Sequence, residues 1–99
     1  MERPDQDQAL SRREAVLRAF LDSDGRISQM PAKLGKRLVL LDHVAQAFEV
    51  GRRYPEGQVD TILRGFQDDY PALRRYLVEQ GFLARDHGVY WRSGGSVEL

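Results

Sequence analysis

Ninety-nine residues, 15 basic against 15 acidic side chains and no cysteine confine this chain to one small domain without a disulfide framework, a thiolate metal site or a cysteine nucleophile. Zero formal net charge removes any bulk attraction to nucleic acid or anionic membrane, so a binding charge has to be local. The longest apolar run, residues 38–41, is far below the about 20 residues that span a bilayer. The first ten residues have neither the basic start nor the apolar stretch of a secretory signal, so a cytoplasmic location is expected.

Residues 1–10 are polar and contain Pro4, and they are expected to be a disordered tail, as is the Ser/Gly-rich stretch 93–99. Ser11, three residues before Glu14, has the pattern of a capping box, and Leu17, Phe20 and Leu21 follow on one helical face. A helix over 12–22 is therefore expected, stopped by Asp24-Gly25. Met30 before Pro31 is pushed out of helical geometry, which makes 26–32 a connector. Leu34, Leu38, Leu41, Ala45 and Phe48 recur as one stripe of a helix over 33–49, and Leu40, Val44 and Ala47 widen its apolar arc. Its polar arc, with Lys36, Asp42, His43, Gln46 and Glu49, is expected to face water.

Gly51 stops that helix, and Arg52-Arg53-Tyr54 is a short extended link. Pro55 and Glu56 suit a helix start, and Val59, Ile62, Leu63 and Phe66 give a helix over 55–65. Asp68 and Asp69 can cap the next helix, which has Pro71 in its first turn and Leu73, Tyr76 and Leu77 inward, and which runs to Gln80 before Gly81. Residues 82–85, a turn at 86–88 and residues 89–92 read as a β-hairpin. The expected fold is mainly α within the α+β class. It is a winged helix-turn-helix-like domain over 11–92 with its core at 33–92, an added N-terminal helix and a two-stranded hairpin as the wing.

The blocks Pro31-Ala32-Lys33, Lys36-Arg37-Leu38, Phe48-Glu49, Gly51-Arg52-Arg53-Tyr54-Pro55-Glu56 with Val59, Asp69-Tyr70, Leu73-Arg74-Arg75-Tyr76-Leu77-Val78 and Tyr90-Trp91-Arg92 occur in this order. Over about residues 26–92 they resemble a bacterial family known as domain of unknown function 2087. The resemblance implies a domain that occurs alone or joined to helix-turn-helix regulators. Asp60 stands where members of that family commonly carry Asn, and Gly57 weakens the helix start there.

The chain has no GxSxG, HExxH, P-loop or GxGxxG pattern, so no enzymatic activity and no cofactor are expected. His43 and His87 have no second His or Cys at ligand spacing, which leaves no expected metal site, and Asp68-Asp69 reads as a helix cap. The basic residues remain. Arg75, Arg74, Arg85, Arg92, Arg53 and Lys36 fall in or beside the regions with which a winged helix touches nucleic acid, and Arg75 points most directly away from Leu73, Tyr76 and Leu77. The competing reading is structural. Residues 31–99 carry ten basic and nine acidic side chains, Asp60 can pair with Arg64 four residues on, and Arg74 can tie its helix to Asp68, Asp69 or Glu56. Tyr90 and Trp91 alternate in a strand, so at most one enters the core. Val78 lies off the inner face of its helix and suits a protein partner. The sequence thus favours a DNA-binding domain in transcriptional regulation, with a protein-interaction or dimerisation module as the alternative.

Overall fold

The computed structural model describes residues 4–97, with side chains from residue 11 onward. Among these, four helices and one three-stranded antiparallel sheet form, in the order α1 (Pro4–Phe20), α2 (Leu34–Ala45), β1 (Arg53–Pro55), α3 (Glu56–Arg64), α4 (Tyr70–Glu79), β2 (Leu83–Asp86) and β3 (Val89–Arg92). The fold is thus a mixture of α and β. No helix of the described residues is long and apolar enough to cross a membrane. The chain divides into two compact units, Met1–Leu40 and Leu41–Leu99, with the boundary inside α2.

In the first unit, α1 starts at Pro4, not at 12, and runs straight through the Ser11–Glu14 pattern. A proline fits the first turn, where its missing N–H has no partner to lose, and residues 5–8 contain no helix breaker. Residues 1–3 of the expected tail lie outside the described residues. The helix ends at Phe20, and the chain folds back at once. Leu21 bridges Ile27, the Ser28 amide donates to the Phe20 carbonyl at 2.9 Å, and the Asp22 carboxylate accepts from the amides of Asp24 and Arg26 at 2.9 and 3.0 Å. That local acceptor turns the chain tightly over 22–26. Arg37 reaches back from α2 to the Pro31 carbonyl at 3.2 Å and the Ala32 carbonyl at 3.4 Å, fixing the connector before the helix.

In the second unit, α2 ends four residues before the expected 49. Gln46, Ala47 and Phe48 make tighter bonds to the carbonyls three residues back, which lets Phe48 enter the core beyond the regular helix. Phe48 meets Tyr54 edge to face, with centroids 5.1 Å apart. The link expected to be merely extended is β1, and it gives the hairpin a third strand in the order β1-β3-β2. Arg53, Tyr54 and Pro55 oppose Trp91, Tyr90 and Val89, and Leu83, Ala84, Arg85 and Asp86 oppose Arg92, Trp91, Tyr90 and Val89. Val59 and Leu63 of α3, Leu73 and Leu77 of α4, and Leu83, Tyr54 and Tyr90 of the sheet are fully buried or nearly so. These follow the 3.6-residue and two-residue periods of their elements. α3 packs on α4, β1 and β3, and α4 also packs on β2.

Two expectations about the polar residues are corrected in this unit. Asp42, placed in water by its helical arc, is buried, and its carboxylate accepts from the Ser96 amide at 2.6 Å and the Ser96 hydroxyl at 2.9 Å. The stretch 93–97, expected to be disordered, is held as a strap. The Ser93 hydroxyl donates to the Gly81 carbonyl at 2.8 Å, and Gln46 Nε2 donates to the Ser96 carbonyl at 2.9 Å. Residues 98 and 99 of that tail lie outside the described residues.

Candidate nucleic-acid interface

α4 is positioned from both ends. Asp69 accepts from the Ala72 amide at 3.4 Å at its start, and the Phe82 amide donates to the Leu77 carbonyl at 2.9 Å beyond its end. With Leu73 and Leu77 buried, the opposite stripe carries Pro71, Arg75, Val78 and Glu79. These four residues, with Arg74 and with Arg85 of β2, line a shallow hollow of about 420 Å³.

The six candidate cations have different fates. Arg75 is 64% exposed, with Glu79 at 3.9 Å one helical turn on and its own neighbour Tyr76 beneath the guanidinium at 5.9 Å. Arg85 is exposed and holds no ion pair with any described residue. Arg53 is exposed and lies over the Trp91 ring, 5.3 Å from its centroid. The register puts it on the other side of the sheet from Arg85, because Arg53 shares a rung with Trp91 and Arg85 shares the next rung with Tyr90. Lys36 is exposed in the first unit and edges a small hollow lined by Arg12, Ala15, Val16, Ala19 and Phe20.

Arg74 and Arg92 are turned inward, which removes them from the exposed set. Arg74 is bonded to Asp60 and lies 3.8 Å from Glu56, whose carboxylate also accepts from the Tyr90 hydroxyl at 2.9 Å. One arginine therefore joins α4 to α3 and, through Glu56, to β3. Burial by itself lowers the pKa of Arg74. The hydrogen bond and charge of Asp60, with Tyr90 and Glu56 adding to them, outweigh that and hold it above the ordinary arginine value. Arg92 donates to the carbonyls of Gly94 at 3.0 Å and Phe48 at 3.3 Å and to that of Ser96, so its donors hold the 93–97 strap. Asp60 does not take the i+4 partner expected for it. Arg64 instead lies over Tyr70, 4.8 Å from the ring centroid.

The arrangement can receive an anion at the hollow through Arg75 and Arg85, with Glu79 opposing it. Asp60, acidic and on α3, is neutralised by Arg74 and presents little free charge. Glu56 is one of the three partners expected for Arg74, whereas Asp60, 14 residues away along the chain, is not among them and is the residue the sequence reading missed. Trp91 was read as one of two alternating aromatics, and the outer position is its own, with Tyr90 buried and Trp91 half-buried.

No curated protein and no solved structure matches the chain. A family model described as "Uncharacterized protein conserved in bacteria (DUF2087)" matches residues 26–92, which hold α2, the whole sheet and the α3–α4 pair whose Arg74 tie and Arg75 stripe build the hollow. With two thirds of its length covered by that model, the chain belongs to the bacterial DUF2087 family.

Proposed function

We propose that this chain is a winged-helix domain that binds DNA in transcriptional regulation in the cytoplasm, with α4 as the helix that enters the groove. The single observation that carries the reading is the juxtaposition of an outward Arg75 on α4 with Arg85 beside it on β2, which has no ion pair among the described residues. The order of helix, strand, two helices and hairpin, with α4 packed on α3 and β2, supports the fold half of it. Arg75 can reach a guanine edge or a phosphate, and Arg85 a phosphate. Arg53 is a further phosphate contact on the outer side of the sheet, whereas Arg74 and Arg92 serve as scaffolding.

The proposed contact surface offers few cations, Arg75, Arg85 and Arg53, which makes for a shallow salt dependence. Two to three phosphate contacts give a slope of log affinity against log salt of about −2 to −3 with duplex DNA. The test is that titration on the intact chain and on the Arg75→Ala, Arg85→Ala double variant. Binding that is flat in salt, absent, or unchanged in the double variant overturns the reading. A protein-interaction module is the second reading, favoured by Pro71 and Val78 in a hollow where Glu79 opposes the arginines. Sedimentation that depends on concentration, together with no DNA binding, supports it in the form of self-association.

A further inference from the structure

We propose that the outer face of the sheet is a stacking platform for an unpaired nucleobase, with Trp91 as its wall, Arg53 as its cationic cover and Ala84 as its floor. The occupant is a single strand of nucleic acid.

Antiparallel pairing puts Arg53, Trp91 and Ala84 in one rung across all three strands, so their side chains share a face. The next rung, Tyr54, Tyr90 and Arg85, points to the other face, where Tyr54 and Tyr90 are buried and where α3 and α4 pack on the strands. The Trp91 rung therefore faces away from those helices. Trp91 stands on β3, the central strand, and Arg53 covers it from β1 with its guanidinium 5.3 Å from the ring centroid. On the β2 side its neighbour in the rung is only a methyl group. Strands lie about 4.8 Å apart, and the slot proposed for the base is the space over half-buried Ala84 beside the half-buried indole. β2 is an edge strand, and the slot opens sideways past it.

Charge favours a nucleic acid at this rung. Arg53 is exposed and the rung holds no carboxylate, while Arg52 before it is turned to the Tyr54 ring and lies 4.0 Å from Glu49. The acid of this face, Asp86, lies two rungs on toward the hairpin tip, with its carboxylate 2.6 Å from the His87 ring nitrogen. An aromatic wall with an arginine at its side is the chemistry that holds bases in single strands, since every base has a π-face. A base inside a duplex is already paired and stacked, so only an unpaired or splayed one can enter. The inference stands apart from the role of α4 on a duplex, and Arg53 is the one residue the two share.

Trp91 is the single tryptophan of the chain, so its emission reports this platform alone. Titrating the full chain with an oligothymidylate strand is expected to quench it saturably. Ala84→Leu fills the slot while keeping the indole, and is expected to abolish the quenching with the circular dichroism unchanged. By anisotropy of a labelled strand, Trp91→Leu is expected to weaken binding about tenfold. Emission that oligothymidylate leaves unchanged overturns the platform whatever duplex DNA does, as does quenching that survives Ala84→Leu. Duplex binding lost in the Arg75, Arg85 variant with this quenching intact separates the two sites.

Discussion

Arg74 and Arg75 are adjacent in sequence and opposite in role because a helix advances about 100° per residue. One step takes the side chain from the α3 contact to solvent, 22% exposed against 64%. Arg74 answers Asp60 and Glu56 together, so truncating it leaves the half-buried Asp60 carboxylate and the exposed Glu56 carboxylate without this cation. We expect Arg74→Ala to cost about 2 kcal/mol in urea unfolding, and a double-mutant cycle with Asp60→Ala to return a coupling of about 1–2 kcal/mol. A coupling near zero would mean that the pair is solvated. Since the folded pKa of Arg74 is raised, its contribution is fully present below the ordinary arginine value and is lost only as pH rises through the folded one, far into alkali. Stability from this arginine is therefore level across neutral pH. The Glu56 half of the tie was legible as one of three options, but the Asp60 half was not, because spacing favours Arg64 as the partner of Asp60 and the partner actually used is 14 residues away on another helix.

The hairpin that carries Arg85 and Trp91 is set by its turn. β2 ends at Asp86 and β3 begins at Val89, leaving His87 and Gly88 as a two-residue loop with φ of 50° and 77°. Positive φ at both positions is the type I′ turn, whose twist matches that of paired strands. Gly88→Ala is expected to destabilise the fold by about 1 kcal/mol, and His87→Asn to stabilise it by about 0.5 kcal/mol, because Asn accepts the left-handed region more readily. Thermal unfolding of both variants checks the two signs, and a stable Gly88→Ala protein would refute the turn assignment. Periodicity and stop residues placed α3, α4 and the hairpin to within one or two residues. β1 was legible as extended chain but not as a strand, because three residues acquire that status only by pairing with β3. The end of α2 was equally hidden, since Phe48 keeps the apolar spacing after the helix has tightened and stopped.

At the scale of the whole molecule, some charged side chains hold chain segments and do not face solvent. Asp42 and Arg92 hold the strap at 93–97, where composition alone suggested a loose end. Gly95 lies at φ 97°, and a Cβ there would stand 2.9 Å from the Asp42 carboxylate. Gly95→Ala is expected to cost about 1–3 kcal/mol and to speed proteolysis near the strap, whereas a silent substitution would show that the strap contributes nothing to stability. What the sequence determined by itself was local: where α3, α4 and the hairpin lie, which leucines of α3 and α4 face inward, that Arg75 faces out, and the family likeness, whereas Leu34 of the expected α2 stripe is 53% exposed. These depend on the periods of helix and strand and on residues that start or stop them, all within a few positions of one another. Only the tertiary structure decided which charges are free, that Asp42 is buried, that β1 completes the sheet and that Arg53 and Arg85 lie on opposite faces of it. Pairing of that kind joins residues tens of positions apart, and no local period records it.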